Sequence, residues 1–232
     1  MKCNFWLKVL PSTFVLIQSF CQAQSYKIEL GSAITEYSYT QANGLKADYL
    51  KPSPGSHFGI SFSQAILDTS KNLANTSKRS IYFSQHPTLA KILSAFHYDL
   101  GINYLQMNAV GDLQKIPFAY HTDFIGTQAG FGALIPIKYG ISISGIGQLS
   151  LFKMINGNQL VSNQYFPLAD NPQFNTLQFF NGYRVEIGKK INDKTSFFIS
   201  YQKGQTTHIN KSGEATLNFA PASFLIGLKF LK

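Results

Sequence analysis

Five histidines, His57, His86, His97, His121 and His208, are the side chains here that titrate near neutrality and so suit a general base. Two of them stand two residues before an acid, His97 with Asp99 and His121 with Asp123. In an extended chain residues i and i+2 share a face, so each pair could form a base and its orienting carboxylate. Hydrolytic chemistry would also need a serine at the same depth on a neighbouring strand, and none can be picked out by spacing. The same i, i+2 placement arises on any polar strand face by alternation alone. The histidines have no close pair at metal-ligand spacing. The only cysteines are Cys3 and Cys21. The expectation is therefore no catalytic residue, no metal and no cofactor, with the charged side chains doing structural work.

Those charges must be positioned by strands, and the N-terminus says in which compartment. Lys2 and Lys8 flank an apolar stretch through Val9, Leu10, Phe14, Val15, Leu16 and Ile17, followed by Cys21-Gln22-Ala23. A basic start, a short apolar run and small residues at −3 and −1 form an export signal. Pro11 and Gln18 interrupt the run, which is too short for a membrane anchor. Cys21 follows Phe20, whereas a lipid-modified cysteine needs a small residue there. Residues 1–23 are thus expected to be a signal peptide and 24–232 one domain without cysteine, which leaves no disulfide or thiolate site.

Composition narrows the class of that domain. Charged residues make up 13% and aromatics 14% of the 232 residues, against about a quarter charged in an ordinary soluble domain. Such a balance suits a wall half immersed in lipid. The formal net charge is +9, and losing Lys2 and Lys8, with no acid in the signal, leaves +7. The basic residues are scattered rather than striped, which argues against nucleic acid and for attraction to lipid headgroups. No segment after Ala23 has the ~18 apolar residues of a spanning helix.

Alternation supplies the spanning elements instead. The last segment sets Phe224, Ile226, Leu228 and Phe230 against Ser223, Gly227 and Lys229, and ends at the C-terminus. Seven earlier segments alternate in the same way, at about 26–39, 57–67, 96–107, 119–136, 141–153, 174–190 and 195–202. In the third, Phe96, Tyr98, Leu100, Ile102 and Tyr104 oppose His97, Asp99, Gly101 and Asn103. Sheet edges cannot stay open in lipid, so eight such strands predict an all-β fold, an eight-stranded antiparallel transmembrane β-barrel wound as an up-and-down meander. Eight strands leave an interior that side chains fill. The inward set includes Lys27, Glu29, Asp99, Arg184, Glu186 and Lys229, expected to form a lumen network, with Glu29 near Lys229 across the closing seam.

Four long polar connections, 40–56, 108–118, 155–173 and 204–215, would lie outside, with short turns at 138–140 and 191–194 on the periplasmic side. The connection 68–95 is too long for a turn. Pro87 begins a run of helix formers in it, which predicts a short helix; the alternative is an extra strand over 79–84, which parity opposes.

The chain resembles the small outer-membrane β-barrel proteins of the Bacteroidetes group, porin-like or PorT-like. The resemblance is carried by Gln24-Ser25, Pro54-Gly55-Ser56-His57-Phe58-Gly59, Leu134-Ile135-Pro136-Ile137-Lys138-Tyr139, Phe198-Ile199-Ser200-Tyr201-Gln202-Lys203-Gly204 and the ending Ile226-Gly227-Leu228-Lys229-Phe230. It implies an outer-membrane monomer contacting lipid, with no shared catalytic residues. The loops themselves suggest a structural anchor or binding module whose protein partner would meet the outer loops or the 68–95 segment. A part in secretion, a narrow channel and a lipid-modifying enzyme are the alternatives. Tyr165-Phe166-Pro167-Leu168 is an apolar cluster in a polar loop, either a contact patch or packing for the barrel rim. Cleavage after Ala23 predicts that the exported protein begins at Gln24; intact-mass measurement would show a cysteine-free chain, and a retained Cys21, lipidated or not, would refute the assignment.

Overall fold

The computed structural model describes residues 25–40, 50–67, 85–113, 116–208 and 216–231. The expected signal peptide, the alternative strand over 79–84 and most of the 68–95 connection lie outside these residues. Among the described residues nine strands form in chain order: β1 Ser25–Thr40, β2 Leu50–Ala65, β3 Phe96–Leu113, β4 Ile116–Pro136, β5 Ile141–Val161, β6 Gln164–Pro167, β7 Gln178–Lys190, β8 Thr195–His208 and β9 Thr216–Leu231. Each ring neighbour is antiparallel, in the order β1-β2-β3-β4-β5-β7-β8-β9. The ring closes where β1 meets β9, from Ser25 opposite Leu231 to Thr40 opposite Thr216. The fold is therefore the expected eight-stranded up-and-down barrel, with no sheet edge left along its closing seam.

The side-chain period of two then divides every strand of the ring into an inward and an outward set. Lys27 and Glu29 are buried inside, at 0% and 1% exposure, while Ile28 and Leu30 face out at 42% and 56%. On β9 Phe224, Ile226, Leu228 and Phe230 all face out. Along β3 the outward face is apolar or aromatic from Phe96 to Tyr104, then turns polar at Gln106. That stretch rises about 27 Å along the strand at ~3.4 Å per residue, or about 20 Å along the axis at the usual tilt of ~40°. An apolar band ~25 Å tall is what a bilayer-spanning barrel presents. Its upper boundary is a polar ledge, where Asp123 accepts from Tyr104 Oη at 2.8 Å, Gln106 Nε2 at 3.0 Å and Asn156 Nδ2 at 3.0 Å. At its lower boundary Phe96 stacks on Phe131 with ring centroids 5.8 Å apart.

Most of the shifts in the predicted boundaries have one physical reason. Strands continue past the apolar belt as paired hairpins, so polar residues that read as loop are ladder. β3 and β4 pair up to Leu113 and Ile116, across most of 108–118. β2 starts at Leu50 with a register break between Ser53 and His57. β5 runs to Val161 and folds back on β6 through Ser162 and Asn163, both at positive φ, the conformation a tight two-residue hairpin turn requires. Residues 174–177 are not strand; the four-residue helix α2, Pro172–Asn175, occupies their start. The helix expected after Pro87 forms as α1, Pro87–Ala95, leading directly into β3. The short turns are at the other end, where Lys190 Nζ lies 2.7 Å from Asp193 and holds that carboxyl below the usual carboxylate range.

Ile102 is 56% exposed in the middle of the belt. Ile102→Arg should destabilise the barrel in vesicles by roughly 2–4 kcal/mol, whereas Gln106→Arg, on the ledge beside Asp123, should be near neutral. Urea midpoints of the two variants refolded in vesicles check the position of the belt; equal losses would mean that it is misplaced.

Candidate functional site

The inward residues of eight strands meet in a lumen with two layers. The layer toward the short turns is polar. Register puts Lys27 opposite Ser61 and Lys229, Asp99 opposite Ser63 and Gly130, and Glu186 opposite Ser144 and Ser200. Lys27 reaches across the lumen to Asp99 Oδ2 and Glu186 Oε2, each at 3.0 Å, and its ammonium lies 5.8 Å from the centre of the Phe198 ring. Arg184 donates to Glu29 and, at 3.2 Å, to Gln202 Oε1. Asn103 Nδ2 and Gln148 Nε2 converge on Gln128 Oε1 at 2.8 and 3.3 Å.

All six residues expected in the lumen network thus point inward, and five of them join in two ion-pair groups, Lys27 with Asp99 and Glu186, and Arg184 with Glu29. The expected Glu29 partner is corrected: Glu29 binds Arg184, not Lys229. Barrel closure sets Lys229 opposite Lys27 and Glu29 opposite Gly227, so the seam brings two cations level rather than an ion pair. Lys229 instead lies within the fields of Glu186 and Asp99. Three cations and three carboxylates balance, as the cost of stranded charge in a low-dielectric interior demands. Glycine at 59 is part of this geometry, because a Cβ there would come 2.8 Å from Glu29 Oε1 and 3.1 Å from Asn103 Oδ1. Arg184 Nε and Nη1 and Asp99 Oδ1 have no hydrogen-bond partner among the described residues.

The second layer, toward the long hairpins, is apolar and was not foreseen. Phe124, Phe152, Phe180 and Phe219 are 0% exposed and fill the barrel above the charges. Phe219 takes the edge of Tyr37 at 4.8 Å and of Phe124 at 5.7 Å, and Phe152 meets Phe180 at 6.1 Å. Tyr37 Oη donates to Met107 O at 2.6 Å and lies 3.1 Å from the buried Thr122 Oγ1, which satisfies the ring's hydroxyl. The segment between β6 and β7 folds over this layer. Its Phe174 packs on Tyr120 and Phe219, and Leu168 is 3% exposed with its N–H bonded to Gly157 O. Of the Tyr165 to Leu168 cluster, Leu168 seals the rim, while Tyr165 and Phe166 stay exposed. Strand phase could have found the plug, since Tyr37 has the parity of Lys27, Phe152 that of Ser150 and Phe180 that of Arg184.

Two histidines enter the lumen. His97 Nε2 is 3.9 Å from Asp99 Oδ1, too long for a hydrogen bond. His57 Nδ1 is 2.9 Å from Ser223 Oγ, a contact between residues far apart in sequence that spacing could not reveal. That pair has no carboxylate orienting it: His57 Nε2 is unpartnered among the described residues. Both side chains are buried. His121 and Asp123 lie together on the outer face, outside the lumen: His121 is exposed and Asp123 serves the ledge. Among the described residues no three His, Cys, Asp or Glu side chains are grouped to hold a metal ion.

No family model and no curated protein matches the chain. Among solved structures it is similar to Neisserial surface protein A, at 9% identity and a TM-score of 0.44 over 89% of this chain and 97% of that one. It is similar also to the outer membrane protein OprG of Pseudomonas aeruginosa, at 9% identity and 0.45 over 90% and 95%. The outer membrane protease OmpT of Escherichia coli aligns at 10% identity and 0.29 over 90% and 96%.

The Arg184 and Glu29 pair yields a direct test. Arg184→Gln should cost about 3–5 kcal/mol by stranding a buried carboxylate. It should cost less in a Glu29→Gln background, with a coupling of about 0.5–3 kcal/mol. Unfolding midpoints of the four proteins in detergent measure it, and strictly additive losses would exclude a direct pair.

Proposed function

We propose that the protein is an integral barrel of the bacterial outer membrane, a structural anchor that presents its long hairpins outside the cell and performs no chemistry of its own. The observation that carries this reading is the combination of a closed ring, an outward apolar belt and an interior filled at both levels. A belt of that height on a ring without edges has no use in water, where Ile102, Leu149, Phe224 and Ile187 would be exposed apolar surface. The export signal read from residues 1–23 supports the same compartment. So does the resemblance to the Bacteroidetes porin-like and PorT-like barrels, which also keeps a part in secretion as the second reading.

Orientation follows from loop length, because barrels of this kind keep short turns in the periplasm and longer connections outside. The turns at 138–140 and 191–194, and both ends of the ring at Ser25 and Leu231, then face the periplasm. The β5–β6 hairpin stands outside with Tyr165 70% and Phe166 47% exposed, an apolar tip suited to a protein partner. Transport is disfavoured by the aromatic layer, which stacks Phe124, Phe152, Phe180 and Phe219 across the lumen above the charge network. Catalysis is disfavoured because His57 and Ser223 lie sealed beneath it.

Planar-bilayer recording tests the filled interior. The wild-type protein should insert, give a heat-modifiable gel band and show no steady large conductance. A stable pore of porin size would overturn the anchor reading in favour of transport.

A further inference from the structure

The short-turn end of the barrel has a surface that neither the lumen nor the hairpins explain. The turn after β4, Lys138-Tyr139-Gly140, and the turn after β7, Ile191 to Lys194, form one knuckle. Lys189 Nζ donates to Tyr139 O, and Cβ placed on Gly140 would be 3.2 Å from Lys190 Cβ. Lys138, Lys189, Lys190 and Lys194 surround it, and Asp193 is the one acid in these turns. Tyr139 stands at φ 63 with 85% of its surface exposed. A bulky residue rarely adopts that conformation, and here it holds the ring outward instead of against the barrel.

The apolar side chains beside the lysines continue the belt downward. Ile135 is 61%, Ile137 47% and Ile191 61% exposed. Around the rim, α1 buries no residue; Leu89 and Ile92, three apart and so on one face, are 38% and 52% exposed, and the helix has Lys91 and no acid. It runs straight into Phe96 at the lower edge of the belt. Aromatic and aliphatic groups at the edge of a hydrocarbon band, with lysines just beyond, is the arrangement of a membrane interface whose headgroups are negative.

We infer that this knuckle, with α1, is a docking surface for anionic phospholipid headgroups of the periplasmic leaflet, in which the lysine ammonium groups pair with phosphodiesters while Tyr139, Ile191, Leu89 and Ile92 seat at the acyl boundary. Charge complementarity and continuity with the belt select a lipid surface over a soluble partner. The inference rests on the outer-membrane reading above.

The test uses the purified full chain, unfolded in urea and diluted into vesicles of phosphatidylcholine alone or with one-third phosphatidylglycerol. Folded protein is read by gel shift and protease protection. The wild type should associate at least tenfold more tightly with the anionic vesicles, a preference that fades at high salt. Replacing Lys138, Lys189, Lys190 and Lys194 by Gln should remove most of it, at up to about fivefold per lysine near an anionic surface, and leave folding into phosphatidylcholine unchanged. The control Lys51→Gln/Lys203→Gln, at the hairpin end, should keep the preference. Insertion without a preference, a preference surviving in the four-lysine variant, or equal loss in the control would overturn the headgroup surface. So would binding to polyglutamate that depends on these four lysines, without any vesicle preference. Failure to insert into either vesicle would overturn the membrane reading itself.

Discussion

Backbone closure is the constraint on which everything else in this protein depends. A strand in hydrocarbon must pair its N–H and C=O groups on both sides, and sixteen residue pairs between the first and last strands of the ring meet that demand. Once the seam is set in register, the phase of every strand is set too, because a slip of one residue would move Lys27 and Glu29 into lipid and Ile28 and Leu30 into the lumen. Belt, lumen and rim are consequences of one hydrogen-bonded ring.

The interior solves two problems at different heights. In the lower layer the ring carries three cations and three carboxylates inward, and their stability depends on each finding an opposite charge, since a lone buried ion is worse than an apolar residue. Lys27, placed between Asp99 and Glu186, ties β1 to β3 and β7. The upper layer has no charge to compensate and is packed with aromatic rings, topped by Phe174 and Leu168 from the segment before β7. The packed aromatic disk narrows the lumen at its level, and the His57–Ser223 contact is buried with no carboxylate bonded to it among the described residues.

The outside repeats this division by height. Asp123, gathering Tyr104, Gln106 and Asn156, marks where the wall enters water above. Below, lysines and exposed isoleucines mark the other boundary. The barrel is thereby given a direction, with polar hairpins at one end and a basic, partly apolar knuckle at the other.

Alternation of apolar and polar residues was enough to find eight strands, their inward and outward faces and the six charged residues of the lumen, because the period of two is a local property that closure in lipid enforces on every strand. The helix after Pro87 was legible for the same kind of reason, since proline at a first helical position acts locally. Partner choice inside the lumen was not legible: Glu29 meets Arg184 rather than Lys229, and His57 meets Ser223, because depth depends on the stagger between strands and on register breaks such as that between Ser53 and His57. The aromatic plug shared the inward parity all along, yet phenylalanine next to polar neighbours gives no sign of height within the barrel. Only tertiary structure decides that, by stacking residues from eight strands at one level and leaving others, with the same pattern, a layer away.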